Sequence, residues 1–145
     1  MEIDFYDSEF IKILEAYMRK EEFQVVESSI YYEKVNSEIP FLGSRIDFNL
    51  LKEHKNITFK ETDFENIFIF INDIITTIDT KSIGEIIYLG DSLTKLAYIF
   101  PFRCLDKIIV DVIHNIPQHH YFFDKTLSWV IFISFENYIE FGKIR

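Results

Sequence analysis

Glycine and proline are scarce in this chain, four and three of 145 residues, and there is one cysteine, Cys104. Linkers and domain boundaries draw on glycine, proline and serine. No linker, internal repeat or low-complexity tract is visible, so residues 1–145 are expected to form a single domain. One cysteine excludes an intrachain disulfide and any zinc set built on paired cysteines, and it suits a reducing compartment. No run reaches the ~18 apolar residues of a membrane helix. Residues 64–78 come nearest, but Glu65, Asn66, Asn72 and Asp73 interrupt them. The opening Met1-Glu2-Ile3-Asp4 lacks a basic-then-apolar signal pattern, and the expected location is the cytoplasm, with no membrane partner. Also missing are G-x-S-x-G, a phosphate-cradling glycine loop, H-E-x-x-H and paired cysteines, so no enzyme class is indicated.

Positive charge is in the minority. Against 24 acidic residues stand 15 lysines and arginines, for a net charge of −9. That balance argues against binding a nucleic-acid backbone directly, which needs clustered cations. It fits a basic protein partner reached by electrostatic steering, and it fits plain solubility equally well.

Apolar material, by contrast, is plentiful: 48% of residues are hydrophobic, 17% are aromatic, and phenylalanine occurs 16 times. At this length folding buries roughly two thirds of the chain's surface, so no disulfide or metal is needed to hold a core. Asp7 or Ser8 offers an N-cap to a first helix whose apolar stripe is Phe10, Ile11, Leu14, Tyr17 and Met18. Residues 23–35 read as strand, from Val25, Val26, Ile30, Tyr31, Tyr32 and Val35, with a hairpin break at Ser28-Ser29. Residues 36–56 are expected to be mostly loop, followed by a short strand over 57–60. Thr62-Asp63-Phe64-Glu65 reads as a capping box opening a second helix with a broad buried face. Strands are expected over 85–89 and 96–100, and a third helix over 102–115. Residues 116–142 then form three aromatic and β-branched runs separated by Asp124-Lys125-Thr126 and Glu136-Asn137, the pattern of a three-stranded meander. Its middle run, Leu127 to Ser134, is apolar on both faces, which predicts a central strand under a helix with Trp129 in the core. The fold class is therefore α+β: two or three helices packed on an antiparallel or mixed sheet that ends in a C-terminal three-stranded meander.

Candidate chemistry is sparse. His114, His119 and His120 are the closest metal-capable cluster, but adjacent residues on a strand point to opposite faces and do not readily share an ion. No metal and no cofactor is expected. Cys104 falls at the start of the third helix, where a thiol pKa can drop, yet core packing is the better reading. Asp91 follows a strand and a glycine; a turn-forming role is favoured over a catalytic one.

The segment Ile116-Pro117-Gln118-His119-His120-Tyr121-Phe122-Phe123, then Ser128-Trp129, then Ile139-Glu140-Phe141-Gly142, resembles small bacterial immunity proteins that accompany contact-dependent-inhibition and other polymorphic toxins. Tyr88-Leu89-Gly90-Asp91 fits the same pattern; the first eighty residues carry no such likeness. The resemblance implies an inhibitor rather than an enzyme, one that binds and neutralises a cognate toxin domain, often a nuclease, by blocking its active site or substrate surface. In that setting exposed carboxylates would occupy positions where phosphates sit. Asp91, Asp124 and Glu136, each at a predicted turn, are the first candidates for the partner-binding surface, and Glu21 and Glu22 the second. Two other readings stay open: a small cytoplasmic enzyme using Asp91 with His119 or His120, and a nucleic-acid-mimicking inhibitor from a mobile element.

Overall fold

The computed structural model describes residues 3–43, 45–60, 62–78 and 84–144. In chain order the elements are α1 (Phe5–Tyr17), β1 (Gln24–Glu27), α2 (Ser29–Glu38), β2 (Phe41–Leu42), β3 (Arg45–Ile46), β4 (Lys52–Thr58), α3 (Phe64–Thr77), β5 (Glu85–Gly90), β6 (Leu96–Pro101), α4 (Leu105–Asn115), β7 (His120–Asp124), β8 (Trp129–Ser134) and β9 (Tyr138–Lys143). Seven strands make one sheet in the order β1-β6-β5-β7-β8-β9-β4, and every neighbouring pair is antiparallel. β2 and β3 form a separate small ribbon. The fold is α+β, and its last three strands are the meander.

Apolar residues on both sides of the central strands require a cover on both faces. Alternation along β8 sends Trp129, Ile131 and Ile133 to a core shared with Phe10 and Leu14 of α1, Ile67, Ile71 and Ile74 of α3, and Ile108, Ile109 and Val112 of α4. The same alternation sends Val130 and Phe132 to the opposite face, under Val35 of α2, Ile39 just after it, Ile46 of β3 and Phe48. Trp129 is buried as expected, at 2% exposure. Among the described residues no helix is long and apolar enough to cross a membrane.

Among the described residues there are four α-helices where two or three were expected, and the addition is α2. Of the predicted strand over 23–35, only Gln24–Glu27 pairs as a strand. Tyr31, Tyr32 and Val35 also share one face of a helix, with Ile39 just past its end, and the uncovered second face of the sheet rewards that arrangement over their β propensity. The strand expected over 57–60 begins earlier, at Lys52, with a register shift between Lys52 and Lys55 where Glu53 has φ +53°. The capping box at Thr62 does not form. The N-cap is Asp63, with no side-chain capping bond, and its Oδ2 accepts instead from Asn66 Nδ2 at 2.6 Å. α1 starts at Phe5, so Asp7 lies inside its first turn rather than ahead of it, fully buried.

Candidate partner-binding site

The connection between β5 and β6 is held from two sides by buried polar groups. Gln118 Oε1 accepts from the backbone N–H groups of Ser92 (3.2 Å), Leu93 (2.6 Å) and Thr94 (3.3 Å). Its Nε2 donates to the Tyr88 hydroxyl at 2.8 Å and to Thr94 Oγ1 at 2.7 Å. From the helical side Asp7 accepts from Lys95 N (2.9 Å), Leu96 N (3.2 Å) and the Tyr98 hydroxyl (2.5 Å). A side chain of α1 thus satisfies the loop end that β6 leaves open. Gly90 sits where any Cβ would lie 2.1 Å from both Gln118 Nε2 and Thr94 Oγ1, so only glycine admits the clamp.

His120 completes this cluster. The Tyr88 hydroxyl accepts from Gln118 Nε2 and is hydrogen-bonded to His120 Nδ1, 2.7 Å away. Burial pushes the His120 pKa down to about 3, partly opposed by the Ile116 carbonyl, so the ring is neutral. His119 points the other way, as strand alternation requires. Its Nδ1 accepts from Phe135 N at 3.1 Å, so Nε2 bears a proton where it meets Arg45 Nη2 at 3.3 Å, a contact between two donors rather than a hydrogen bond. Among the described residues no group of three or more His, Cys, Asp or Glu is placed to hold a metal ion. Cys104 is buried, with Sγ 3.9 Å from the Tyr17 carbonyl oxygen. Asp91 meets His119 through the backbone N–H, at 3.2 Å, and not through the ring; the His120 ring lies against Tyr88.

The five candidate acids divide between the two ends of the sheet. Asp91 and Glu136 share one end. Asp91 Oδ1 accepts from His119 N and from Ser92 Oγ at 3.3 Å, and the carboxylate is exposed. Glu136, on the β8–β9 turn, reaches Arg45 Nη2 at 3.4 Å, and Arg45 also donates to the Tyr138 hydroxyl at 2.5 Å. Glu21 and Glu22 lie at the other end, in a 3-10 turn before β1. Glu21 is exposed, whereas Glu22 is tied to Arg103 at 2.9 Å. The Arg19 backbone N–H, then the charges of Arg103 and Arg19, hold the Glu22 carboxyl below its usual pKa.

Asp124 is a correction. Its predicted turn is present, but the side chain is 6% exposed and turned inward. Its Oδ1 accepts from Ser128 N at 2.6 Å and Trp129 N at 3.0 Å, and its Oδ2 accepts from the Thr126 hydroxyl. Leu127, at φ +56°, folds those donors back onto the carboxylate. Asp124 is a turn staple and offers no surface to a partner.

Beside Asp91 opens a pocket of about 190 Å³ between α2 and the sheet, walled by Tyr32, Phe41, Tyr121 and Phe123, with Asn36 and Asp91 as its polar members. Tyr121 and Phe123, two apart on β7, stack at 6.3 Å and 7°. The Tyr32 hydroxyl donates to the Gly90 carbonyl, which fixes that wall. Burial, with the Asp91 charge next, pushes Tyr121 up to about 12, so it stays protonated. Tyr32 and Phe41 escaped the sequence reading because α2 and the ribbon did; the Tyr121/Phe123 alternation was the available signal. The wider depression lined by Arg45, Asp47, Asn49, His54, Asn56 and Glu140 has both its acids engaged, Asp47 by Asn49 N at 3.2 Å and Glu140 by His54 at 3.0 Å.

No protein-family model matches the chain, and no curated protein matches it. The resemblance to immunity proteins rests on its quoted residues, and the structure gives several of them a common position. Tyr88, Gly90, Gln118 and His120 form the buried cluster beneath the Asp91 loop. Gly142 has its own steric reason, because a Cβ there would lie 2.7 Å from Leu51.

Proposed function

We propose that this chain is an immunity-type inhibitor that binds and neutralises a cognate toxin domain with a basic surface, a nuclease on the logic of charge, in the cytoplasm. The observation that supports it most is the use made of the motif residues. Gln118 and its neighbours clamp a loop whose outward product is an exposed carboxylate, Asp91, at the same end of the sheet as a second exposed acid, Glu136. A rigid, pre-placed carboxylate is what an inhibitor needs to stand in for a phosphate without an entropic cost on binding. The net charge of −9 would steer a basic partner toward it.

The test is co-expression with the toxin domain encoded beside this chain, followed by co-purification. Survival and a stoichiometric complex are expected, with an association rate that falls as salt rises. Cells that die as readily with the protein as without it, together with no complex at micromolar concentration, refute the reading.

A further inference from the structure

We propose that the pocket between α2, β5 and β7 receives one arginine side chain of the protein partner, with its guanidinium on Asp91 and against the aromatic walls. This inference rests on the inhibitor reading and names the chemistry of its contact. Three observations carry it. First, the pocket is small: about 190 Å³. That is below the roughly 300 Å³ at which drug-sized ligand sites begin, and it suits a single long side chain. Second, its walls are aromatic on several sides, Tyr32, Phe41, Tyr121 and Phe123, with apolar Val35 and Leu89 to take an aliphatic stem. Third, its one charged member is an acid with unused capacity. Asp91 Oδ1 is engaged by His119 N and Ser92 Oγ, whereas Oδ2 makes no hydrogen bond and the side chain makes no ion pair among the described residues. Two cations of this end of the sheet are committed elsewhere, Arg45 to Glu136 and Tyr138, and Lys95 to the Ser92 carbonyl.

A carboxylate at the rim of an aromatic box selects a cation that is both planar and weakly hydrated. Arginine fits better than lysine because its plane can stack on a ring while its fork bonds a carboxylate. The hydroxyl of Tyr32 is tied back to Gly90 and the Asp91 loop is clamped by Gln118, so the box is formed before anything enters it.

The probe is Nα-acetyl-L-arginine amide, titrated into the intact protein and followed by the ring resonances of Tyr32 and Tyr121; Nα-acetyl-L-citrulline amide is its uncharged isostere. Saturable shifts with arginine and about tenfold weaker ones with citrulline are expected. Asp91→Asn keeps the loop's acceptor and should weaken the arginine response about tenfold, Tyr121→Leu should weaken it severalfold, and Glu65→Gln, at an exposed position of α3 on the opposite face of the sheet, should leave it unchanged. Equal responses to arginine and citrulline, or an Asp91→Asn protein that binds arginine as the parent does, would overturn the inference. The two claims separate cleanly. If the toxin is neutralised with equal affinity by the parent and by Asp91→Asn, the pocket proposal falls and the inhibitor reading stands. If arginine binds as described but no toxin is neutralised, the pocket stands and the inhibitor reading falls.

Discussion

Asp91, just after β5, and Asp124, the last residue of β7, each open a turn at opposite ends of the sheet, and they have opposite fates. Asp124 is folded under its turn, where two backbone N–H groups and a threonine hydroxyl converge on it. Asp91 stays in solvent because the amides of its own turn are taken by another side chain: Ser92, Leu93 and Thr94 all donate to Gln118. Whether an aspartate at a turn faces inward is thus decided by competition for the turn's donors. Where a distant glutamine wins them, the carboxylate is left for a partner.

The largest effect should come from the Asp124 end. Trp129→Ala is expected to cost about 3–5 kcal/mol, read by chemical denaturation, since the ring packs on Phe102 and Phe141. Trp129→Phe should cost far less, about 1 kcal/mol, because Trp129 Nε1 has no hydrogen-bond partner among the described residues and that buried donor disappears with it. Equal costs for the two variants would show that the indole nitrogen is satisfied after all.

Asp124→Ala comes next, at about 2–3 kcal/mol, because two backbone amides lose a charged acceptor in a buried turn. Gly90→Ala, at the other end, should cost about 1–3 kcal/mol by forcing Gln118 and Thr94 apart, while Gly84→Ala, with nothing within 4 Å, should be close to neutral. Adding Gln118→Ala to Gly90→Ala should be markedly less than additive, because both break the same clamp. Additive costs would mean that Gly90 and Gln118 are not coupled and that Gln118 is not what holds the Asp91 turn.

His120 makes one end of the sheet acid-sensitive. Its folded pKa of about 3 lies below the ordinary 6.5, so between those values the unfolded chain binds a proton that the folded protein refuses. The stability it contributes is complete above pH 6.5 and is lost as pH falls through that window, at a limiting slope of about 1.4 kcal/mol per pH unit. Denaturation midpoints from pH 7 to pH 4 should therefore fall more steeply in the parent than in His120→Gln; parallel curves would show that the ring titrates normally. The smallest effect on stability is expected for Asp91→Asn, within about 0.5 kcal/mol, since the carboxylate is exposed and the amide oxygen can replace Oδ1. If it costs as much as Asp124→Ala, Asp91 is a second staple and not a presented group.

Much of the fold was legible because it is written in short-range periodicity. The apolar positions of α3 and α4, the two-sided apolar run of β8 and the breaks of the meander each lie within one element, where side-chain direction follows from spacing alone. α2 was not legible, because Ile30, Tyr31, Tyr32 and Val35 suit a strand locally and only the open second face of the sheet makes them a helix. The candidate site was legible in part. Asp91 and Glu136 were named from turn composition and do lie at one end of the sheet, but Glu21 and Glu22 lie at the other, and Asp124 is buried.

By itself, then, the sequence determined an acidic α+β chain with a large aromatic core, a C-terminal meander and a buried Trp129, since composition and alternation act residue by residue. Only the tertiary structure decided which polar groups are inside. Gln118 reaches the Leu93 amide across 25 positions and Asp7 reaches Lys95 across 88, and no local pattern encodes a donor that arrives from so far along the chain. The same holds for the pocket, whose walls come from α2, the ribbon, β5 and β7. Exposure, and with it any role for Asp91, is settled by which distant side chain claims the neighbouring backbone first.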